Sequence, residues 1–106
     1  MAVSKTKKTV DETHTLPNRM GGGILKRLVW VDEKTGIVTK YSLVYINQLL
    51  YALDNGRVLG YDNDHGYHHK HFMGEITPIE FKGFEAVEEL FEAEFKEITK
   101  GLKKRT

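Results

Sequence analysis

The apolar residues change their spacing near residue 83, and this change limits the folds open to the chain. Beyond that point they recur every three or four positions, which is the spacing of one amphipathic helix: Phe84, Val87, Phe91, Phe95, Ile98 and Leu102. The acids of this segment come early and its lysines late, as the helix dipole favours. A single helix with one apolar face needs a surface to pack on, and the preceding chain has the composition of strands.

Two strands are predicted first, over 24–31 and 37–46. Both segments are rich in aliphatic, β-branched and aromatic residues. The stretch DEKTG between them is typical of a hairpin loop, in which Gly36 can adopt a left-handed conformation.

Further strands are predicted beyond residue 48. The Asn55–Gly56 pair separates the apolar runs 49–54 and 57–62, which indicates a second hairpin. Residues 68–81 supply another strand, with Pro78 confined to its edge or its end. The predicted fold is therefore α+β: an antiparallel meander of four to five strands packed on one C-terminal amphipathic helix.

Length and composition predict one domain. The chain has 106 residues, and we interpret 1–20 as a flexible basic arm and 21–106 as a single domain. It has no cysteine, no apolar run long enough to cross a membrane and no apolar segment of signal-peptide type at its start. These features predict a cytoplasmic protein without membrane contact. The net charge of +1 specifies no partner, although both ends are basic.

Four of the five histidines lie in YDNDHGYHHKHFMGE, residues 61–75. If 68–76 is one strand, alternation places His69, His71 and Glu75 on one face. The opposite face then carries the expected core residues Phe72 and Ile76. The preceding turn residues 62–66 include three more polar candidates: Asp62, Asp64 and His65.

Three interpretations fit this cluster. Its side chains are simply polar residues of an exposed strand and turn, or His69 and His71 bind a metal, as in a metal-dependent nuclease. The third interpretation is general acid–base cleavage of RNA without metal or cofactor, by Asp62, His65, His68, His69 and His71. The predicted nucleic-acid contacts are Lys26, Arg27, Arg57, Tyr67 and Lys70. A binding module without enzymatic activity is the alternative function.

The aromatic residues outside the helix also have two interpretations. Trp30, Tyr41 and Tyr45 are expected to pack in the core. An antiparallel sheet that is covered on one face leaves the other face open, however, and aromatic residues there can stack on bases. The sequence does not separate the two cases.

The run NGRVLGYDNDHGYHHKHFMGEITPIEF (55–81), which follows YSLVYIN (41–47), resembles the TumE family of toxins from bacterial and archaeal toxin–antitoxin pairs. The resemblance extends from about Gly22 to the end of the chain. Its most specific part has the form G-Y-D-N-x-H-G-x-H-x-H. The resemblance implies that the residues at four of these positions belong to the site: Asp62, His65, His68 and His71. Asp64 occupies the variable position of this run.

The resemblance implies a toxin held inactive by a cognate antitoxin, which often carries a DNA-binding helix-turn-helix domain. Small toxins of this kind commonly act on RNA, so RNA is the expected substrate. An exposed edge strand, near Pro78 or in 24–31, offers a surface for a homodimer.

Overall fold

The computed structural model describes residues 5–103, apart from the side chains of His65, Leu102 and Lys103. Three parts of the predictions therefore lie outside the described residues. They are the place of Leu102 on the apolar helix face, the first four residues of the predicted arm and the last three residues of the basic end. The elements are β1 (Thr6–Thr15), β2 (Ile24–Asp32), β3 (Val38–Ile46), β4 (Arg57–Asp62), β5 (His69–Phe72), β6 (Glu75–Pro78) and α1 (Phe84–Lys103). Short 3-10 turns occupy Asn18–Met20, Asp54–Gly56 and Asp64–Gly66.

The strands form one antiparallel sheet in the order β1-β2-β3-β4-β5-β6, a meander in which each strand pairs with its neighbours in sequence. Helix α1 packs on one face, which we term the covered face; the opposite face is the open face. The predicted α+β fold is confirmed, with six strands rather than four to five. Pro78 ends the edge strand β6, as its missing N–H predicts.

Strand β1 differs from the expected flexible arm. Residues 6–15 pair with β2 along its whole length, although nearly every residue of β1 is exposed. The sequence does not predict this strand, because neither of its faces is buried and its residues therefore show no alternation of polar and apolar side chains.

The second predicted hairpin is wrong. Residues 49–54 form no strand, and Leu49 and Leu53 are exposed. Asn55 and Gly56 do have the positive φ angles that an Asn-Gly sequence predicts, 55° and 83°. They lie in a turn that leads into β4, and β4 pairs with β3 instead.

Residues 68–81 form two strands rather than one. Met73 and Gly74, with φ angles of 45° and 87°, make a two-residue turn between β5 and β6. The turn reverses the chain and shifts the alternation beyond it. Glu75 consequently pairs with Phe72, away from the face of His69 and His71. Phe72 and Ile76 are not core residues as predicted, because they are 39% and 57% exposed.

The core lies between the covered face and α1. Tyrosine rings from the sheet meet phenylalanine rings of the helix, in the pairs Tyr41–Phe84, Tyr45–Phe95 and Tyr61–Phe91. These contacts confirm the packing role expected of Tyr41 and Tyr45. Around them, carboxylates of the helix bind groups of the sheet: Glu88 accepts from Arg27, and Glu94 accepts from Tyr61 and Lys70. No helix within residues 5–103 is long and apolar enough to cross a membrane.

Replacing Phe91 by alanine tests this one-sided packing. Phe91 is 4% exposed, and its loss should lower the free energy of unfolding by about 3–5 kcal/mol. The control is Leu90→Ala, because Leu90 is 48% exposed on the same turn and should cost only about 0.5 kcal/mol. Urea unfolding of the two variants measures both values; similar losses would contradict the assignment of the helix face.

Candidate active site

The open face carries a compact cluster of one carboxylate and two imidazoles. Asp62 Oδ1 lies 2.7 Å from His69 Nε2, and Asp62 Oδ2 lies 3.1 Å from His71 Nε2. The three residues are only 3–6% exposed. Their rings and carboxylate therefore interact in a medium that screens charge poorly.

The pairing of β4 with β5 brings the cluster together. Asp62 lies opposite His69 and Gly60 lies opposite His71, so the three side chains rise from adjacent strands on one face. The turn after β4 holds the carboxylate, because the Asp64 N–H donates to Asp62 Oδ1 at 3.1 Å.

His69 has an oxygen acceptor opposite each ring nitrogen. Its Nδ1 lies 3.1 Å from the carbonyl oxygen of Tyr67, which can only accept, and its Nε2 faces the Asp62 carboxylate. The doubly protonated ring satisfies both contacts at once. A ring that carries a proton on Nδ1 alone satisfies the carbonyl and leaves the Nε2 lone pair free for a metal ion.

His71 has the opposite character. Neither of its buried ring nitrogens makes a hydrogen bond within the described residues, although Nε2 approaches the carboxylate. Burial lowers the pKa of His71, and the positive charge of Arg57 lowers it further, against the opposing effect of Asp62. The neutral ring is thus favoured, which leaves an imidazole able to accept a proton.

Arg57 provides a cation beside the cluster. A Cβ atom added at Gly60 would lie 3.0 Å from Arg57 Cδ, so the arginine side chain lies over this glycine. Its Nε donates to Asp54 at 2.8 Å, and Nη1 lies 4.0 Å from Asp62 Oδ2. Arg57 also lines an open pocket of about 310 Å³ with the cluster and with Asp64, Tyr67 and Ile76.

His68 does not belong to the cluster, contrary to the prediction. It faces the covered side, where its ring stacks on Phe81 with a centroid distance of 3.8 Å and its Nδ1 lies 2.8 Å from Tyr41 Oη. Burial and the charge of Asp62 raise the pKa of Tyr41 to about 12, so its hydroxyl stays protonated and shares a hydrogen bond with His68. Burial and the neighbouring His69 lower the pKa of His68, and its neutral ring is part of the packing.

The predicted nucleic-acid contacts separate between the two faces. Arg27 and Lys70 lie on the covered face in ion pairs with Glu88 and Glu94, so the structure does not place them with the cluster. Lys26 lies on the open face, in a groove next to the site. The exposed Tyr67 ring lies 4.6 Å from the ring of His69 at the pocket wall. The side chain of His65 lies outside the described residues, so its catalytic role stays a prediction.

The donor set also suits a divalent metal ion. One ligand atom from each of Asp62, His69 and His71 lies within 4.8 Å of the others. Two imidazoles and one carboxylate are a ligand set that transition metals accept. The hydrogen bond from His69 Nδ1 to the Tyr67 carbonyl is the outer contact that usually orients such a ligand.

The fold and the cluster define a small α+β protein with a buried carboxylate–histidine site on the open face of a meander sheet. A model of the toxin family TumE matches residues 23–101, which include β2 to β6, most of α1 and the whole cluster. The chain therefore belongs to the TumE toxin family, and membership implies an antitoxin partner. Neither the curated proteins nor the solved structures contain a match to this chain.

The stability of the protein should depend on pH through His71. An unfolded histidine titrates near pH 6.5, and the pKa of folded His71 is lower, so the unfolded chain binds more protons as the pH falls below about 6.5. The free energy of unfolding therefore decreases until the folded ring is also protonated. We expect His71→Gln to make this decrease shallower between about pH 7 and about pH 5, in urea unfolding at each pH. An unchanged slope would contradict the lowered pKa of His71.

Proposed function

We propose that this TumE-family toxin stops growth by cleaving RNA at the Asp62–His69–His71 cluster, without a metal ion. The reaction takes place in the cytoplasm, and the cognate antitoxin that restrains it carries a helix-turn-helix domain. A homodimer, predicted from the exposed strand edges, stays a prediction.

The observation that carries the proposal is the different surroundings of two imidazoles that share one carboxylate. His71 makes no hydrogen bond within the described residues and burial lowers its pKa, whereas His69 has an oxygen acceptor opposite each ring nitrogen. An imidazole free to accept a proton, beside one whose two nitrogens both face acceptors, supplies the base and the acid that RNA cleavage needs.

The chemistry follows from these roles. His71 accepts the proton of a ribose 2′-hydroxyl, and the 2′-oxygen attacks the adjacent phosphorus. The bond from phosphorus to the 5′-oxygen breaks, and His69 gives its Nε2 proton to the leaving oxygen. The products are a 2′,3′-cyclic phosphate and a 5′-hydroxyl. Asp62 orients both rings and stabilises the imidazolium, and Arg57 is placed to stabilise the crowded phosphate.

Replacing either imidazole should abolish toxicity. We expect His71→Gln and His69→Gln each to lower RNA cleavage by about 100- to 10,000-fold, which is the range for loss of a general acid or base. His14→Gln is the matched control, because the His14 side chain is exposed on β1, far from the cluster in sequence, and pairs with Glu12 at the surface. Growth after induction and the cleavage of total RNA measure the effects, and melting curves check the fold.

The chemistry of the RNA ends gives a second measurement. Cleavage by this route leaves 2′,3′-cyclic phosphates, and it fails on RNA with a 2′-deoxyribose at the cleaved position. Full toxicity of the folded His71→Gln and His69→Gln variants contradicts the proposal. RNA binding without cleavage by the wild type supports the binding module instead.

A metal-dependent nuclease is the second candidate. The observation in its favour is that neither buried ring nitrogen of His71 makes a hydrogen bond within the described residues, and that the ring lies next to an oxygen of Asp62 and to His69. Asp62, His69 and His71 would hold a divalent ion here, and such an ion would supply an activated water molecule for hydrolysis.

Metal removal separates the two candidates. The proposal without metal predicts that protein purified without a histidine tag contains no stoichiometric metal and retains its cleavage rate after dialysis against EDTA. The second candidate predicts about one ion per chain, loss of cleavage in EDTA and recovery with Zn²⁺ or Mn²⁺. Asp62→Asn is the control variant, because it removes a ligand and should abolish the recovery.

A further inference from the structure

Trp30 on the open face is placed between two lysines. It lies on β2 opposite Lys40 of β3 and Lys8 of β1, and the Nζ atoms of these lysines lie 5.0 and 5.7 Å from the centroid of its ring. Trp30 is partly exposed and does not belong to the buried core. Both ammonium groups lie over the ring, so the π surface of the indole is flanked by positive charge that an incoming phosphate can draw away.

The lysines are available to another partner. Lys40 pairs with Asp64 at 3.4 Å and Lys8 pairs with Asp11 at 2.9 Å, and all four side chains are 43–57% exposed. Exposed ion pairs contribute little free energy, typically about 0–1 kcal/mol. A phosphate group can therefore replace these carboxylates at small cost.

One row of residues on the open face lies between Trp30 and the cluster. Leu28, Ser42 and Asp62 lie side by side on three neighbouring strands, one row from the Trp30–Lys40 pair. A groove of about 290 Å³ runs along this part of the open face, and Arg57 lines both this groove and the pocket of the cluster. Two strand spacings, or about 10 Å, separate β2 from β4.

We propose that Trp30 and Lys40 form a binding subsite for one nucleotide of single-stranded RNA, whose base stacks on the indole while Lys40 contacts a phosphate. This inference rests on the proposed function, since it places the substrate strand across the groove towards the cluster. The strand passes over Leu28 and Ser42, and Arg57 receives its scissile phosphate. An unpaired base is required, because both faces of a paired base are stacked within a duplex.

The chain has one tryptophan, so its fluorescence reports this subsite directly. The wild-type protein is titrated with a short single-stranded 2′-O-methyl RNA, which binds but has no free 2′-hydroxyl to react. We expect saturable quenching of Trp30 and no quenching by the same sequence as a duplex. Trp30→Ala, followed by the anisotropy of labelled RNA, should weaken binding about 5- to 150-fold, equivalent to about 1–3 kcal/mol for one stacked base. Trp30→Phe should lose less.

Lysine variants give an independent test that does not alter the aromatic ring. Lys40→Gln should weaken binding and reduce the dependence of log K on log salt by about 0.7. Lys34→Gln is the matched control, because Lys34 is exposed in the β2–β3 turn. Absence of quenching, or equal affinities of the wild type, the folded Trp30→Phe variant and Lys40→Gln, overturns the inference.

The outcomes distinguish this inference from the proposed function. If RNA quenches the fluorescence of Trp30 but the wild type cleaves no RNA, the result supports the subsite and contradicts the proposed ribonuclease function. If the wild type cleaves RNA and Trp30→Ala and Lys40→Gln leave kcat and KM unchanged, the subsite alone fails. Equal quenching by single-stranded DNA would keep the subsite and remove its specificity for RNA.

Discussion

A single helix can cover only one face of a six-stranded sheet, and the arrangement of this protein follows from that constraint. Alternation along β4 and β5 sends Tyr61 and Lys70 to the helix and sends Asp62 and His69 to the open face. Adjacent residues of the same histidine-rich stretch therefore have unlike roles. His68 packs against aromatic rings, whereas its neighbour in sequence belongs to the polar cluster.

The buried charge of Asp62 requires compensation. A carboxylate that is 5% exposed is costly unless it is paired and hydrogen-bonded. His69, His71, Arg57 and the N–H of Asp64 surround it. Because Gly60 has no side chain, Arg57 can extend along β4 over this residue and approach the carboxylate. Compensation of this charge thus gathers two imidazoles and a guanidinium around one pocket.

The sequence predicts the parts of the fold that have periodic burial. The spacing of Phe84, Phe91 and Phe95 predicts the helix, and alternation correctly places His69 and His71 on one face. Exposed β1 has no such signal. The turn at Met73–Gly74 also escapes prediction, because methionine rarely adopts a positive φ, and this turn moves Glu75 away from the cluster. The proximity of Lys40 to Trp30 depends on strand register, which composition does not encode.

The buried ring nitrogens of His71 make no hydrogen bond within the described residues, although Nε2 lies 3.1 Å from Asp62 Oδ2. Burying a polar group without a partner costs about 1–3 kcal/mol, which is considerable for a domain whose total stability is about 5–15 kcal/mol. Such a cost is tolerated where a bound group supplies the missing contact. In the proposed acid–base reaction that group would be a ribose hydroxyl, and in the metal-dependent alternative it would be a metal ion. In both proposals the bound group completes the contacts of the His71 ring, so binding energy would be concentrated at the atom where reaction begins.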